Sequence, residues 1–179
     1  MHRFAVAPWS TSLKVMSAFS LVILAGVPWF VKRVVPPVGI TNWVVPFVTW
    51  ICAAVVVGAV PFVVTGYEVD HNHLVVHRLL WWPARIDIRG LTRVWHDPAV
   101  VRGSLRLFGN GGLFSFSGLF YNRALGRYRL FATDPKRAVV MVLPAGTVAV
   151  TPDDPDAFLR VVRELFPSAQ AGAPGTRWR

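Results

Sequence analysis

The chain has 179 residues, 54% of them hydrophobic, and carries a formal net charge of +10 at pH 7. Because domains commonly contain about 100–150 residues, this length suits one modest domain and an additional segment. The only cysteine, Cys52, excludes an intrachain disulfide, so cysteine usage gives no information on the compartment.

Two long apolar runs near the N-terminus predict transmembrane helices. The first, residues 13–31, has one charged residue, Lys14, at its edge, and the second, residues 43–64, has none. At about 1.5 Å per residue, a helix over the second run covers a hydrocarbon core of about 30 Å. We therefore predict an N-terminal segment at residues 1–12 and a two-helix transmembrane hairpin at residues 13–64.

A secretory signal is the alternative for the first run, because it follows basic residues and has an apolar middle. No small-x-small cleavage site follows it, and a second apolar run comes almost at once. We therefore prefer a multi-pass protein of the cell membrane with two spans. The positive-inside rule favours a cytoplasmic C-terminal domain, although Lys32 and Arg33 between the runs argue for the opposite orientation.

From Gly66 onward, short runs of alternating polarity separated by turn residues predict antiparallel strands. One amphipathic helix follows, in which Asp154 is the predicted cap and Pro155 the first helical residue. Its predicted apolar face consists of Phe158, Leu159, Val162 and Leu165. We expect a domain at residues 65–166 and a disordered Gly- and Pro-rich tail at residues 167–179.

Three stretches of this domain carry a family resemblance: "GYEVDHNHLVVHR", "SLRLFGNGGLFSFSGLFYNRALGRYRLFATDPKRAVV" and "TVAVTPDDPDAFLRVV". Over residues 60–166 the chain resembles the bacterial PH-like domain family, small two-span membrane proteins with a C-terminal PH-like domain. The resemblance implies two transmembrane α-helices followed by a mainly β PH-like barrel of about seven antiparallel strands and a C-terminal α-helix. It implies no enzymatic activity.

The first hairpin departs from the eukaryotic PH domains that bind inositol phosphates. Those domains place several Lys and Arg side chains there, whereas this hairpin contains Asp70, His71, Asn72 and His73. We do not expect phosphoinositide binding by that route.

The stretch "FGNGGLFSFSG" at residues 108–118 is rich in glycine but lacks a nucleotide-binding pattern. A GxGxxG motif would need a glycine at Phe114, and no Gly-Lys pair of a P-loop occurs in the chain. One interpretation is a turn at residues 109–112 that needs positive φ or close backbone approach, with Phe114 and Phe116 on one strand face.

A second interpretation of this region is contact with a membrane surface or a partner. Residues 98–133 contain no acidic residue but five arginines and seven aromatic residues. Basic side chains near anionic headgroups stabilise binding by about 1 kcal/mol each, and exposed aromatic side chains enter the interface. Single-stranded nucleic acid would accept the same residue types, but the adjacent membrane favours lipid. The candidate contact residues are Arg102, Arg106, Arg123, Arg127, Arg129, Phe114 and Phe116.

Other clusters give weaker signals. His71, His73 and His77 suggest a metal site, but acidic and cysteine partners are sparse around them. His96 and Asp97 are neighbours on a strand and therefore point to opposite faces, and no GxSxG or HExxH motif is present. We expect no metal, no cofactor and no enzymatic activity.

Tryptophans 81 and 82 suit either the membrane–water boundary or a hairpin-end core cluster. The prediction for function is a non-enzymatic integral membrane protein whose PH-like domain mediates protein or inner-leaflet lipid interaction. Its expected partners are the lipid bilayer and an unidentified membrane protein, with no nucleic acid. The alternative is an accessory subunit or assembly factor of a membrane enzyme complex.

Overall fold

Two helices precede the β domain. The computed structural model describes residues 1–35, 42–111 and 113–172. Helix α1 is Thr11–Val34, and helix α2 is Val44–Ala59 and continues as the 3-10 turn Val60–Phe62. Both are long and apolar enough to cross a membrane, which agrees with the predicted runs. The central part of the predicted link between them, residues 36–41, lies outside the described residues.

Helix α1 begins at a side-chain cap and is buried only near that end. The Ser10 hydroxyl accepts a hydrogen bond from the backbone N–H of Leu13 (3.3 Å) and donates one to the carbonyl of Thr133 (3.2 Å). Leu13 and Ser17 are buried against the β domain, whereas most apolar side chains further along α1 are exposed. Apolar side chains exposed over the length of a helix suit a lipid environment.

The described residues form eleven strands in two sheets. In chain order the strands are β1 (His2–Ala5), β2 (Val64–Val69), β3 (His73–Arg78), β4 (Ala84–Asp87), β5 (Arg93–His96), β6 (Leu105–Gly111), β7 (Phe116–Asn122), β8 (Gly126–Ala132), β9 (Val139–Leu143), β10 (Gly146–Val150) and β11 (Gln170–Ala171). The smaller sheet has the order β1-β2-β3-β4, and the larger has the order β11-β5-β9-β10-β8-β7-β6.

The prediction of a barrel of about seven antiparallel strands is wrong in strand number and closure. Strands β8 and β10 are parallel, because the β9–β10 hairpin lies between β5 and β8 and places β10 beside β8. Strands β4 and β6 are edge strands of different sheets, so the two sheets do not close into a barrel. We call the gap between the β4 and β6 edges the open seam.

Side chains of the larger sheet alternate between two apolar clusters, as the period of two in a strand requires. One cluster lies between the sheets and includes Met141 and Phe131 together with Phe158 and Val162 of helix α3 (Pro155–Leu165). The other lies on the opposite face and includes Leu13 of α1. Asp154 caps helix α3 as predicted, since its carboxylate accepts hydrogen bonds from the backbone N–H groups of Asp156 and Ala157 in the first turn.

Tyr67 links the sheets through a buried hydroxyl. It donates to the carbonyl of Phe131 at 2.7 Å and accepts from the backbone N–H of Thr151 at 3.2 Å. Burial raises the pKa of Tyr67 to about 12, so the hydroxyl remains protonated and able to donate at neutral pH.

Segments outside residues 65–166 complete both sheets. Strand β1 pairs with β2 although α1 and α2 separate them in sequence, and β11 pairs with β5. The β domain therefore includes part of the predicted N-terminal segment and part of the predicted tail. The physical reason is that the edges of β2 and β5 offer backbone groups that these short strands satisfy. Residues 173–179 of the predicted disordered tail lie outside the described residues.

Candidate functional site

Two opposed glycines lie near the two ends of the stretch "FGNGGLFSFSG", residues 108–118. Gly109 in β6 pairs with Gly118 in β7, and both have positive φ, +110° and +151°. A Cβ atom on Gly109 would collide with the carbonyl oxygen of Ser117, and one on Gly118 would collide with that of Phe108. Glycine is therefore required at both positions by close approach of the two strands as well as by conformation.

The turn of this hairpin comes later than predicted and is bound to both helices. The side chain of Asn110 accepts from the N–H of Leu113 (3.0 Å), and Phe114 has φ of +68°. The N–H of Phe114 donates to the hydroxyl of Ser17 in α1 at 3.0 Å. The hydroxyl of Ser115 donates to the carbonyl of Phe62, at the end of α2, also at 3.0 Å.

This arrangement corrects the predicted turn at residues 109–112. Residues 109–111 belong to β6, and Gly112 lies outside the described residues. Phe114 and Phe116 do not share a strand face, because β7 begins only at Phe116. Hydrogen bonds to the helices hold the chain around Phe114 in a turn. The alternation of polar and apolar residues predicted a strand there, because it carries no information on these long-range bonds.

A cavity of about 1070 Å³ lies between the helix pair and the β domain. We call it the helix–domain cavity. It occupies the open seam, since residues of both edge strands line it. The helices contribute Ser20, Ile23, Leu24, Ala54, Val55, Gly58, Ala59 and Phe62. The β domain contributes Arg78, Ala84, Arg85, Ile86, Arg106, Phe108, Gly109, Asn110, Leu113, Ser117, Gly118, Leu119, Arg129 and Phe131.

The charge in this cavity has one sign. Its lining includes four arginines and no acidic residue. Arg85, Arg106 and Arg129 form no ion pair within the described parts of the chain. The Arg78 guanidinium lies 5.8 Å from the ring centre of Phe62 and 5.4 Å from that of Phe131, and burial lowers the pKa of Arg78.

The structure brings two of the predicted contact arginines together and separates the other three. Arg106 and Arg129 line the helix–domain cavity. Arg102, Arg123 and Arg127 are exposed elsewhere on the β domain. The candidate residues therefore do not form one contiguous group.

The two predicted contact aromatics also lie apart. Phe114 lies in the docked turn, with its ring centre 6.1 Å from that of Trp9, and Phe116 is buried in the cluster that contains Leu13. Burial in the domain core removes Phe116 from any membrane surface.

Sequence reasoning missed Arg78, Arg85 and Ser117 as cavity residues. These residues belong to no recognisable sequence motif. They lie on three different strands, β3, β4 and β7, and come together only in the folded protein. The signal present in the sequence was a basic pair, Arg78 and Arg85, shortly after the second apolar run.

An exposed apolar loop joins β3 and β4 beside the end of α2. Leu79, Leu80, Trp81 and Trp82 are all exposed, and Trp82 is 86% exposed. The ring of Trp81 stacks on Phe62 with a centre distance of 5.7 Å. The two tryptophans are therefore surface residues next to the helices and not members of a core cluster.

The histidine cluster is divided by an ion pair. His77 lies 3.1 Å from the carboxylate of Glu68, which also faces Arg3 at 3.5 Å, while His71 and His73 are exposed. The hydrogen bond from His77, with help from Arg3, lowers the pKa of Glu68. In the part of the chain that the structure describes, no three metal-ligating side chains form a group that could hold a metal ion.

Comparison with known families agrees with the described fold. The family model described as "Bacterial PH domain" matches residues 65–165, more than half of the chain. The chain belongs to the bacterial PH domain family. No curated protein and no solved structure matches it. The matched region contains β3 to β10 and α3, and thus all four arginines of the cavity, whereas β1, α1 and α2 lie outside it.

We expect Gly109→Ala to lower the free energy of unfolding by about 3 kcal/mol, because alanine adds both backbone strain and a collision with β7. The matched control is Gly103→Ala, where φ is +67° but the added Cβ meets open space, and about 1 kcal/mol is expected. Denaturant unfolding of the full chain in detergent, followed by tryptophan fluorescence, measures both. Equal losses would contradict the close approach of β6 and β7.

Proposed function

We propose that this protein is a non-enzymatic membrane-anchored binding module whose PH domain engages anionic lipid headgroups of the leaflet next to it. The observation that carries the proposal is a set of arginines on the side of the β domain that faces the helices, of which Arg85, Arg106 and Arg129 form no ion pair with any described residue. Each basic side chain held near anionic headgroups stabilises surface contact by about 1 kcal/mol.

The β3–β4 loop supports the same surface. Trp81 and Trp82 follow directly on Leu79 and Leu80, and Trp81 stacks on the last turn after α2. If α2 crosses the bilayer, this loop lies at the level where α2 leaves it, and indole rings prefer that level. Exposed leucine and tryptophan side chains would then lose contact with water by entering the interface.

His96 and Asp97, the neighbouring pair considered as an acid–base unit, have structural contacts that support a non-catalytic function. The ring of His96 contacts the carbonyl of Lys136 at 3.0 Å, and the carboxylate of Asp97 accepts from the N–H of Ala99 at 3.0 Å. Both groups are engaged with backbone partners on the β domain.

Membrane orientation is part of the proposal. Strand β1 precedes both helices and pairs with β2, which follows them, so the N-terminus lies on the same side as the β domain. One side of the membrane then carries four basic residues near the helix ends: Arg3, Lys14, Arg78 and Arg85. The other side carries two, Lys32 and Arg33, in the last turn of α1. The positive-inside rule then favours a cytoplasmic β domain.

A second candidate is a docking subunit or assembly factor for a membrane enzyme complex. Strand β6 favours it, because this edge strand of the larger sheet exposes Leu105, Leu107 and Phe108. An exposed edge with apolar side chains is suited to pairing with a strand of a partner protein.

Spin labelling tests the proposed membrane contact. We expect a nitroxide at Trp82→Cys, in a Cys52→Ser background, to be shielded from a water-soluble relaxation agent when the full chain is reconstituted in bilayers containing phosphatidylglycerol. The reason is that the β3–β4 loop enters the headgroup region. The matched control is a label at Arg163→Cys, an exposed position on α3. Equal accessibility of the two labels to the water-soluble agent would contradict the proposal.

Reporter fusions test the orientation. A reporter placed before Met1 and one placed after Arg179 are both expected to be active only in the cytoplasm, because β1 and β2 pair on one side of the membrane. A reporter inserted between α1 and α2 serves as the control and is expected on the opposite side. Activity of the terminal fusions outside the cytoplasm would overturn the orientation.

A further inference from the structure

The helix–domain cavity combines two chemically different halves. On the helices it is lined by apolar or small side chains such as Ile23, Leu24, Val55 and Gly58, and on the β domain by arginines. Its volume is at the upper end of the range for small-ligand sites. We infer that this cavity binds one anionic amphiphile, with a phosphate group among the arginines and a hydrocarbon chain along α1 and α2. The inference rests on the proposed lipid contact and names a discrete site for it.

Two polar atoms at the cavity have no hydrogen-bond partner among the described residues. The hydroxyl of Ser117 is buried, with its residue only 5% exposed, and the Nε of Arg78 is also buried. Both residues line the cavity. Because a buried polar atom without a partner is costly, a ligand acceptor that reached either group would remove part of that cost.

The charges of the site specify an anion. Two other arginines of the β domain have acidic partners: Arg89 pairs with Asp87, and Arg137 with Asp153. Arg102, Arg123 and Arg127 form no ion pair within the described residues, but they lie outside the cavity lining. The cavity arginines have no acidic partner in the described ranges. Guanidinium groups match the geometry of phosphate oxygens, and such charge-assisted hydrogen bonds are about twice as strong as neutral ones.

The helix side specifies a hydrocarbon chain. Gly58 lines the cavity, and an added Cβ there would meet nothing within 4 Å, so this position has room for a larger side chain. Ile23, Leu24 and Val55 present only apolar atoms from their side chains to this space. A free phosphate would leave this half of the cavity without a partner, whereas an acyl chain would fill it.

Native mass spectrometry of the full chain in mild detergent tests the inference. Phosphatidylglycerol, phosphatidylcholine or glycerol 3-phosphate is added to separate samples, and the number of molecules bound per chain is counted. We expect one phosphatidylglycerol per chain to bind in preference to the other two, because only that probe has both a net negative charge and acyl chains.

Two variants of the cavity have matched controls. Arg129→Ala removes charge from the cavity and Gly58→Phe fills its apolar half, and each is expected to weaken phosphatidylglycerol binding roughly tenfold or more. Arg127→Ala removes the same charge from the same face of β8, outside the lining. Gly26→Phe adds the same bulk to α1 in open space, also outside the lining. Neither control is expected to change binding.

The possible outcomes separate the site from the proposed function. If Arg127→Ala weakens binding as much as Arg129→Ala while Gly58→Phe has no effect, the discrete site is overturned and surface contact remains. Binding of glycerol 3-phosphate as strong as that of the lipid would overturn the amphiphile in favour of a free phosphate. Equal retention of phosphatidylglycerol and phosphatidylcholine by the unaltered chain would contradict both the site and the proposed function.

Discussion

The attachment of the 113–115 turn to the two helices is the constraint on which the rest of the structure depends. Phe114 donates to Ser17 of α1, and Ser115 donates to Phe62 at the end of α2. These bonds, together with the burial of Leu13 in the domain core, fix the β domain against the helix pair rather than leaving it on a linker. A domain held in this way keeps the same side toward the two helices.

The same attachment places the helices beside the open seam. Strands β4 and β6 do not pair, and the helices lie over the gap between them. In a closed barrel, backbone hydrogen bonds would fill this gap. Here it becomes a cavity whose walls come from elements far apart in sequence, with Arg78 from β3, Arg129 from β8 and Gly58 from α2. The family match explains the β domain, whereas the cavity also needs the helices.

Local patterns in the sequence predicted the elements well, and long-range pairings account for the errors. Apolar length indicated both helices, and the Asp154 cap and apolar spacing indicated α3. The alternation of polar and apolar residues could not reveal that β8 and β10 pair in parallel, because this pattern shows that a segment is a strand but not which strand it pairs with. An acid-free composition drew attention to Arg106 and Arg129, which line the cavity, whereas Arg78 and Ser117 join its lining only through the folded arrangement of the strands.

Hydrogen exchange at the Phe114 amide is the most direct test of the central claim that the β domain is fixed to α1. In bilayer discs, this amide is expected to be protected in the unaltered chain. Ser17→Ala removes its acceptor and is expected to speed exchange of the 113–115 segment about tenfold, while Ser12→Ala, an exposed position on the first turn of α1, leaves it unchanged. Rapid exchange in the unaltered chain, or no response to Ser17→Ala, would contradict the account.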